Sequence, residues 1–217
     1  MKHAAILTAA ACALLAAAAP HAGAAEATEV RRFEQTFLPG PSGKVHVSLF
    51  WGPIEIRGTD GKTIEAEMQL FCTGDDLEAC RQRAARLRLV ARSTPKELRI
   101  KLKGTSRGRA RGIKSRLVVK VPRRLALEVD AQKGNISIRG MRSDLNVDAA
   151  GGDVDVLYPK KLVREVFLRV GVGQANLWLD DGRVKASGFP RTVRWQHDGR
   201  HRISVVVGTG DVDVRLE

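Results

Sequence analysis

Apolar and polar residues alternate along most of the chain. Val45, Val47 and Leu49 begin the pattern, and Ile54 and Ile56 resume it. Period two puts one face of a strand in a core and the other in water. Thr63–Phe71 continues as a strand. The Asp75-Asp76-Leu77-Glu78 stretch then predicts a helix start, with Asp75 as cap and Glu78 three residues on, as in a capping box. The helix is expected to run to about Leu87, with Leu77, Cys80, Ala84 and Leu87 on its inner face. Leu87–Ala91 and Leu98–Leu102 read as strands joined by a turn around Thr94-Pro95, and Thr105–Gly112 as a polar, basic, glycine-rich loop. From Leu117 to the end the pattern is almost purely β. Before Val45, Glu26–Ser42 reads as a loose lead-in, because Pro39-Gly40-Pro41 blocks regular structure.

The β-rich half repeats a phrase. GNISI at Gly134–Ile138, GDVDV at Gly152–Val156, GQANL at Gly173–Leu177 and a second GDVDV at Gly210–Val214 share one form. Glycine comes first, then a polar residue, then two aliphatic or small residues separated by one position. Glycine permits the positive φ of a tight corner, and the two apolar residues point inward. Recurrence about every 18–21 residues in mid-chain suits stacked rungs, each too small to bury its own face. The fold class expected is therefore mainly β: a single-domain β-solenoid or β-helix-like stack over 44–217 with one short helix near 75–87. An antiparallel sandwich of hairpins uses the same corners and stays open as the alternative.

Residues 1–25 change the compartment. Lys2 supplies a positive end, an apolar run extends from Ala4 to Ala19, and Ala22-Gly23-Ala24 fits an A-x-A cleavage pattern, so a secretory signal peptide is expected. The run is shorter than the roughly 20 apolar residues a spanning helix needs. Behind such a leader the location expected is periplasmic or envelope-associated. Cys72 and Cys80 would meet an oxidising compartment there, which predicts a disulfide.

The text from "LVVKVPRRLALEVDAQKGNISIRG" through "SDLNVDAAGGDVDV" to "RISVVVGTGDVDVRLE" resembles the bacterial putative-adhesin β-solenoid family, a domain of unknown function. Leu117–Pro122, Gly134–Ile138, Gly152–Val156 and Gly210–Val214 carry the likeness, which spans roughly Val45–Glu217. The resemblance implies a stack of short strands and no particular activity. The cysteine pair, the short helix and the basic loop depart from the family pattern.

Candidate chemistry is sparse. His197 and His201 are four apart, but Gly199 interrupts them, so they need not share a face. Asp144, Asp148, Asp153, Asp155, Asp180, Asp181, Asp211 and Asp213 allow a calcium-dependent, polysaccharide-lyase-like β-helix enzyme as the alternative function. Pairing with Arg139, Arg142, Arg169 and Arg215 across rungs explains the same aspartates as a polar outer surface. No cofactor or metal site is expected. Charge gives the sharper lead. The chain carries 37 Lys and Arg against 24 Asp and Glu, and Arg81–Arg124 alone holds 17 basic residues and one acid, Glu97. Arg107, Arg109, Arg111 and Lys114 form the candidate anion-binding set, because arginine grips phosphate or carboxylate through two parallel hydrogen bonds. The reading is a non-enzymatic secreted envelope module for binding or assembly. Its expected partners are anionic lipid, lipopolysaccharide or acidic polysaccharide, not nucleic acid.

Overall fold

The computed structural model describes residues 27–217 apart from Ser42, Asp75, 105–111 and Ser187. The expected leader at 1–25 lies outside the described residues. The strands are β1 (Thr28–Phe37), β2 (Lys44–Trp51), β3 (Ile54–Thr59), β4 (Ile64–Cys72), β5 (Arg88–Ser93), β6 (Leu98–Lys103), β7 (Ile113–Pro122), β8 (Ala126–Lys133) and β9 (Ile136–Arg139). They continue with β10 (Leu145–Gly151), β11 (Val154–Tyr158), β12 (Val163–Val172), β13 (Ala175–Leu179), β14 (Gly182–Lys185), β15 (Arg191–Gln196), β16 (His201–Thr209) and β17 (Val212–Leu216). Among the described residues one α-helix, α1 (Leu77–Ala85), stands between β4 and β5, and a 3₁₀ turn, Lys160–Leu162, precedes β12.

Two mixed sheets enclose one aliphatic core. The nine-stranded sheet runs β1-β4-β7-β3-β9-β11-β17-β13-β14, and the eight-stranded sheet runs β15-β12-β16-β10-β8-β2-β6-β5. Central pairs such as β9–β11, β11–β17 and β8–β10 are parallel, so the hairpin sandwich is not formed. The outer pairs β1–β4, β4–β7, β13–β14, β12–β15 and β5–β6 are antiparallel.

The chain repeatedly crosses from one sheet to the other, as β2 to β3, β8 to β9, β10 to β11, β12 to β13 and β16 to β17. Both sheets stack these crossings in the same spatial order: β6/β7, β2/β3, β8/β9, β10/β11, β16/β17, β12/β13. That order is not the chain order. Strands β16 and β17 slot between β10/β11 and β12/β13, and β2 and β3 lie inside β6 and β7. The crossings are thus stacked across two mixed sheets in an interleaved order. The physical reason is that every crossing offers the same pair of inward aliphatics, so a segment from either end of the chain fits at any level.

The repeated phrase occupies one corner of these crossings. Ile54, Ile136, Val154, Val212 and Ala175 align across the nine-stranded sheet, and Ile56, Ile138, Val156, Val214 and Leu177 form the next row. All ten are buried, and each of the nine larger than Ala175 contributes roughly 1.5–3 kcal/mol on removal from water. The phrase has a fifth copy, Gly52-Pro53-Ile54-Glu55-Ile56, which proline in the second position disguises. Gly52, Gly134, Gly152, Gly210 and Gly173 stack as a column. A Cβ on Gly152 would stand 2.3 Å from the Gly134 carbonyl oxygen, and one on Gly210 2.2 Å from that of Gly152. Glycine is thus required by close approach as well as by φ values of +118° and +140°.

Two local expectations change. Thr28–Phe37 is not a loose lead-in but a strand antiparallel to β4. Its inward positions past a bulge include Arg31 and Gln35, which breaks the apolar alternation. Phe33 and Phe37 nevertheless pack on the core. The helix cap is Asp76, whose Oδ1 accepts the Ala79 N–H at 3.0 Å; Asp75 lies outside the described residues. Capping by Asp76 puts Ala79 rather than Glu78 at the third helical position, so no capping box closes. The inner face holds as expected at Cys80 and Ala84, with Leu77 half-buried, but the helix ends at Ala85, so the buried Leu87 lies just beyond it rather than on its face.

Candidate anion-binding surface

The β5–β6 hairpin closes one end of the eight-stranded sheet. Leu89, Leu98, Ile100 and Leu102 face the core. The alternate positions therefore point outward, and all but Val90 are basic: Arg88, Arg92, Arg99, Lys101 and Lys103. The antiparallel register sets Arg88 directly opposite Lys103 and Arg92 directly opposite Arg99, with Lys101 across from Val90. Like charges in facing positions repel, so this face costs stability when nothing neutralises it.

Partners are few. Arg99 Nε donates to Glu97 Oε1 at 2.9 Å. Burial alone would raise the Glu97 carboxyl; the Arg99 hydrogen bond and the charges of His46, Arg99 and Lys44 outweigh it and hold the group below its ordinary 4.5. Arg88 Nη1 donates to the carbonyls of Ala85 and Leu87 at the end of α1. Arg31 Nη1 reaches the same helix end, donating to Ala84 O at 3.2 Å and Ala85 O at 2.7 Å. Helix C-termini carry partial negative charge, which suits two guanidinium groups there. Burial, then the nearby Arg88 charge, lowers the Arg31 pKa from its usual value. Among the described residues, Arg92, Lys101 and Lys103 have no carboxylate at ion-pair distance.

The basic segment Arg81–Arg124 divides here. On β7, in the other sheet, Arg116 pairs with Glu55 and Lys120 with Glu65, and just beyond it Arg123 pairs with Asp60. The charge of β7 is thus largely neutralised within the fold, whereas that of β5–β6 is not. Lys114 is exposed on β7, on the outer side of the nine-stranded sheet, so the structure does not bring it to the hairpin face. Arg107, Arg109 and Arg111 lie outside the described residues. Beside the hairpin runs a groove of about 460 Å³, lined by Ser48, Phe50, Lys101, Lys103, Asp130 and Gln132 among others. Phe50 is 38% exposed in it.

The aspartates serve the stack. Asp153 N donates to Asn135 Oδ1 at 3.1 Å, Asp211 N to Asp153 Oδ1 at 3.0 Å and Gln174 N to Asp211 Oδ1 at 2.8 Å. Asp155 pairs with Arg215, one of the pairings expected across rungs. Asp213 Oδ1 accepts from Trp178 Nε1 at 2.7 Å and Asn176 Nδ2 at 3.2 Å. A groove of about 720 Å³ runs over these rows, between Glu55 and Asp213. His197 packs against the Trp195 ring, whereas His201 faces Asp144, so the two histidines take different partners. Cys72 and Cys80 sit at disulfide distance, with Cα atoms 6.0 Å apart, joining the end of β4 to the first turn of α1. No helix among the described residues is long and apolar enough to cross a membrane.

No protein-family model matches this chain, and no curated protein matches it. A solved structure, that of a putative cell adhesion protein from Clostridium sporogenes ATCC 15579, aligns over 86% of this chain and 100% of its own, at 13% identity and a TM-score of 0.46. A likeness at that level carries no argument about function.

Proposed function

We propose that the protein is a secreted, non-enzymatic binding module of the cell envelope that engages anionic components through the outer face of the β5–β6 hairpin. The observation that carries this reading is the in-register opposition of Arg92 to Arg99 and of Arg88 to Lys103 on a face where, among the described residues, only Arg99 has a carboxylate partner. Such a face gains most when an external anion sits across it. Arg107, Arg109 and Arg111 follow β6 in the chain and would extend the same set. Lys114 belongs to the opposite sheet and is left out of it. The adjoining groove, with Phe50 beside Lys101 and Lys103, suits an anion that also carries apolar groups, which favours lipid phosphates over acidic polysaccharide. The polysaccharide-lyase alternative has no comparable support, because Asp153 and Asp211 are hydrogen-bond acceptors between rungs and Asp155 is paired with Arg215.

Cosedimentation with phosphatidylglycerol-containing vesicles and with lipopolysaccharide, at low and high salt, tests the reading. Each cation near an anionic surface is worth about 1 kcal/mol, so the Arg92→Ser, Lys101→Ser, Lys103→Ser triple variant should bind about 100-fold more weakly at low salt. The difference should shrink as salt screens the surface. Binding that is absent, or indifferent to salt, would reject the proposal.

A further inference from the structure

Next to the basic hairpin, the outward side of β2 carries a histidine that is nonetheless buried. His46 is 5% exposed. Its Nε2 lies 2.6 Å from Asp130 Oδ2. Its Nδ1 lies 3.4 Å from Glu97 Oε2 and makes no hydrogen bond. Glu128 stands directly opposite His46 in the β2–β8 register. Asp130 is two residues further along β8 and so on the same side of the sheet. One donor atom from each of His46, Glu128 and Asp130 falls within 4.8 Å of the other two. Asp148 on β10 is directly opposite Asp130, so two carboxylates face each other at this level. Of the cations nearby, Lys44 pairs with Glu128 and Arg99 with Glu97, whereas Lys101 and Lys103, which line one groove with Asp130, have no carboxylate at ion-pair distance among the described residues.

We propose that His46, Glu128 and Asp130 form a binding site for one divalent transition-metal ion of the zinc type, with His46 coordinating through Nε2. The donor set selects the ion. Imidazole with two carboxylates suits zinc and its neighbours, whereas calcium and magnesium take oxygen donors. Metal at Nε2 places the ring proton on Nδ1, where Glu97 receives it. A carboxylate behind a ligating histidine fixes the ring and strengthens the ligand. The orphaned Nδ1 and the opposed Asp130 and Asp148 carboxylates thus have one common remedy, a cation. Three protein ligands leave a tetrahedral ion one open position. The site adjoins the anion-binding groove through Asp130, but none of its ligands is a basic residue of that face, so it stands or falls without them.

Isothermal titration of the untagged protein with ZnCl2, beside CaCl2 and MgCl2, tests the proposal. The expected result is saturable binding of one zinc equivalent, with a rise in melting temperature that EDTA reverses. His46→Gln, Glu128→Gln and Asp130→Asn should each weaken zinc binding at least about 10-fold, and Glu97→Gln about 10-fold through the ring it orients. His197→Gln with His201→Gln should change nothing. Cobalt(II) should give a visible absorption band that His46→Gln removes. If His46→Gln does not fold, the cobalt spectrum of Glu128→Gln decides in its place. Absence of saturable zinc binding, or zinc binding and a cobalt band undiminished in these variants, would overturn the site. A calcium response indifferent to His46→Gln, without one for zinc, would do the same.

Discussion

The Asp153 carboxylate accepts the backbone N–H of Asp211 at 3.0 Å, across a separation of 58 residues. Each of these aspartates is the second residue of an identical GDVDV pentapeptide. The two copies are spatial neighbours in register, Val154 beside Val212 and Val156 beside Val214. They occupy equivalent corners, with glycine below a carbonyl, a side-chain acceptor for the next rung and two buried valines. Identical surroundings require the same residues. Loss of the acceptor in Asp153→Ala should cost about 1 kcal/mol. Asp153→Asn keeps an oxygen at the same place and should stay within about 0.5 kcal/mol of the parent. Urea unfolding of both variants separates the acceptor's role from that of the charge.

Glycine substitutions should divide by surroundings rather than by φ. Gly152→Ala puts a methyl group 2.3 Å from a backbone oxygen that cannot move alone, and it should destabilise by more than about 3 kcal/mol or prevent folding. Gly182 also has positive φ, at +144°, but nothing lies within 4 Å of its added Cβ. Gly182→Ala should cost about 1 kcal/mol. Thermal unfolding of the pair checks this.

The Cys72–Cys80 link closes a sequence separation of 8 residues. A loop this short predicts about 2–3 kcal/mol of stabilisation on the chain-entropy account. Mass spectrometry after alkylation without reductant should find both thiols protected, and reductant should lower the melting temperature. Two alkylated thiols in oxidised protein would refute the bond.

Tyr158, the single tyrosine, is buried and donates its hydroxyl proton to Ser143 O at 2.8 Å. Burial, followed by the charge of Asp144, raises its pKa well above the ordinary 10.0. The unfolded chain therefore releases this proton first. The contribution of Tyr158 to stability is complete below pH 10 and declines as pH rises further toward the folded value. In an ultraviolet pH titration, tyrosinate absorbance should appear together with unfolding rather than before it. Tyr158→Phe should flatten that alkaline decline.

Much of the fold was legible because the inward residues of each rung are aliphatic at period two, from Val45 to Val214. The order of the rungs was not. Ile136 and Ile138 fit beside Val154 and Val156 as well as they fit beside Ile54 and Ile56, so no local pattern says which neighbours which. Strand β1 was hidden by Arg31, an inward residue whose role is to hold the end of α1. The charged segment was visible as composition, but not its division. Only the register shows that Arg116 and Lys120 find Glu55 and Glu65 while Arg92 faces Arg99. His46 gave no signal, because Asp130 lies 84 residues away and carries no mark of the pairing.

The interleaved rungs also set the order in which the molecule can be built. Strands β12 and β13 are complete long before β16 and β17 exist, yet β16 and β17 are what join them to β10 and β11. Until His201–Leu216 arrives, the segment from β12 to β15 has no level of the stack to rest on. Strands β16 and β17 are keystones of both sheets. Docking of β12 and β13 onto both sheets must wait for them, and such contacts of long sequence separation slow folding.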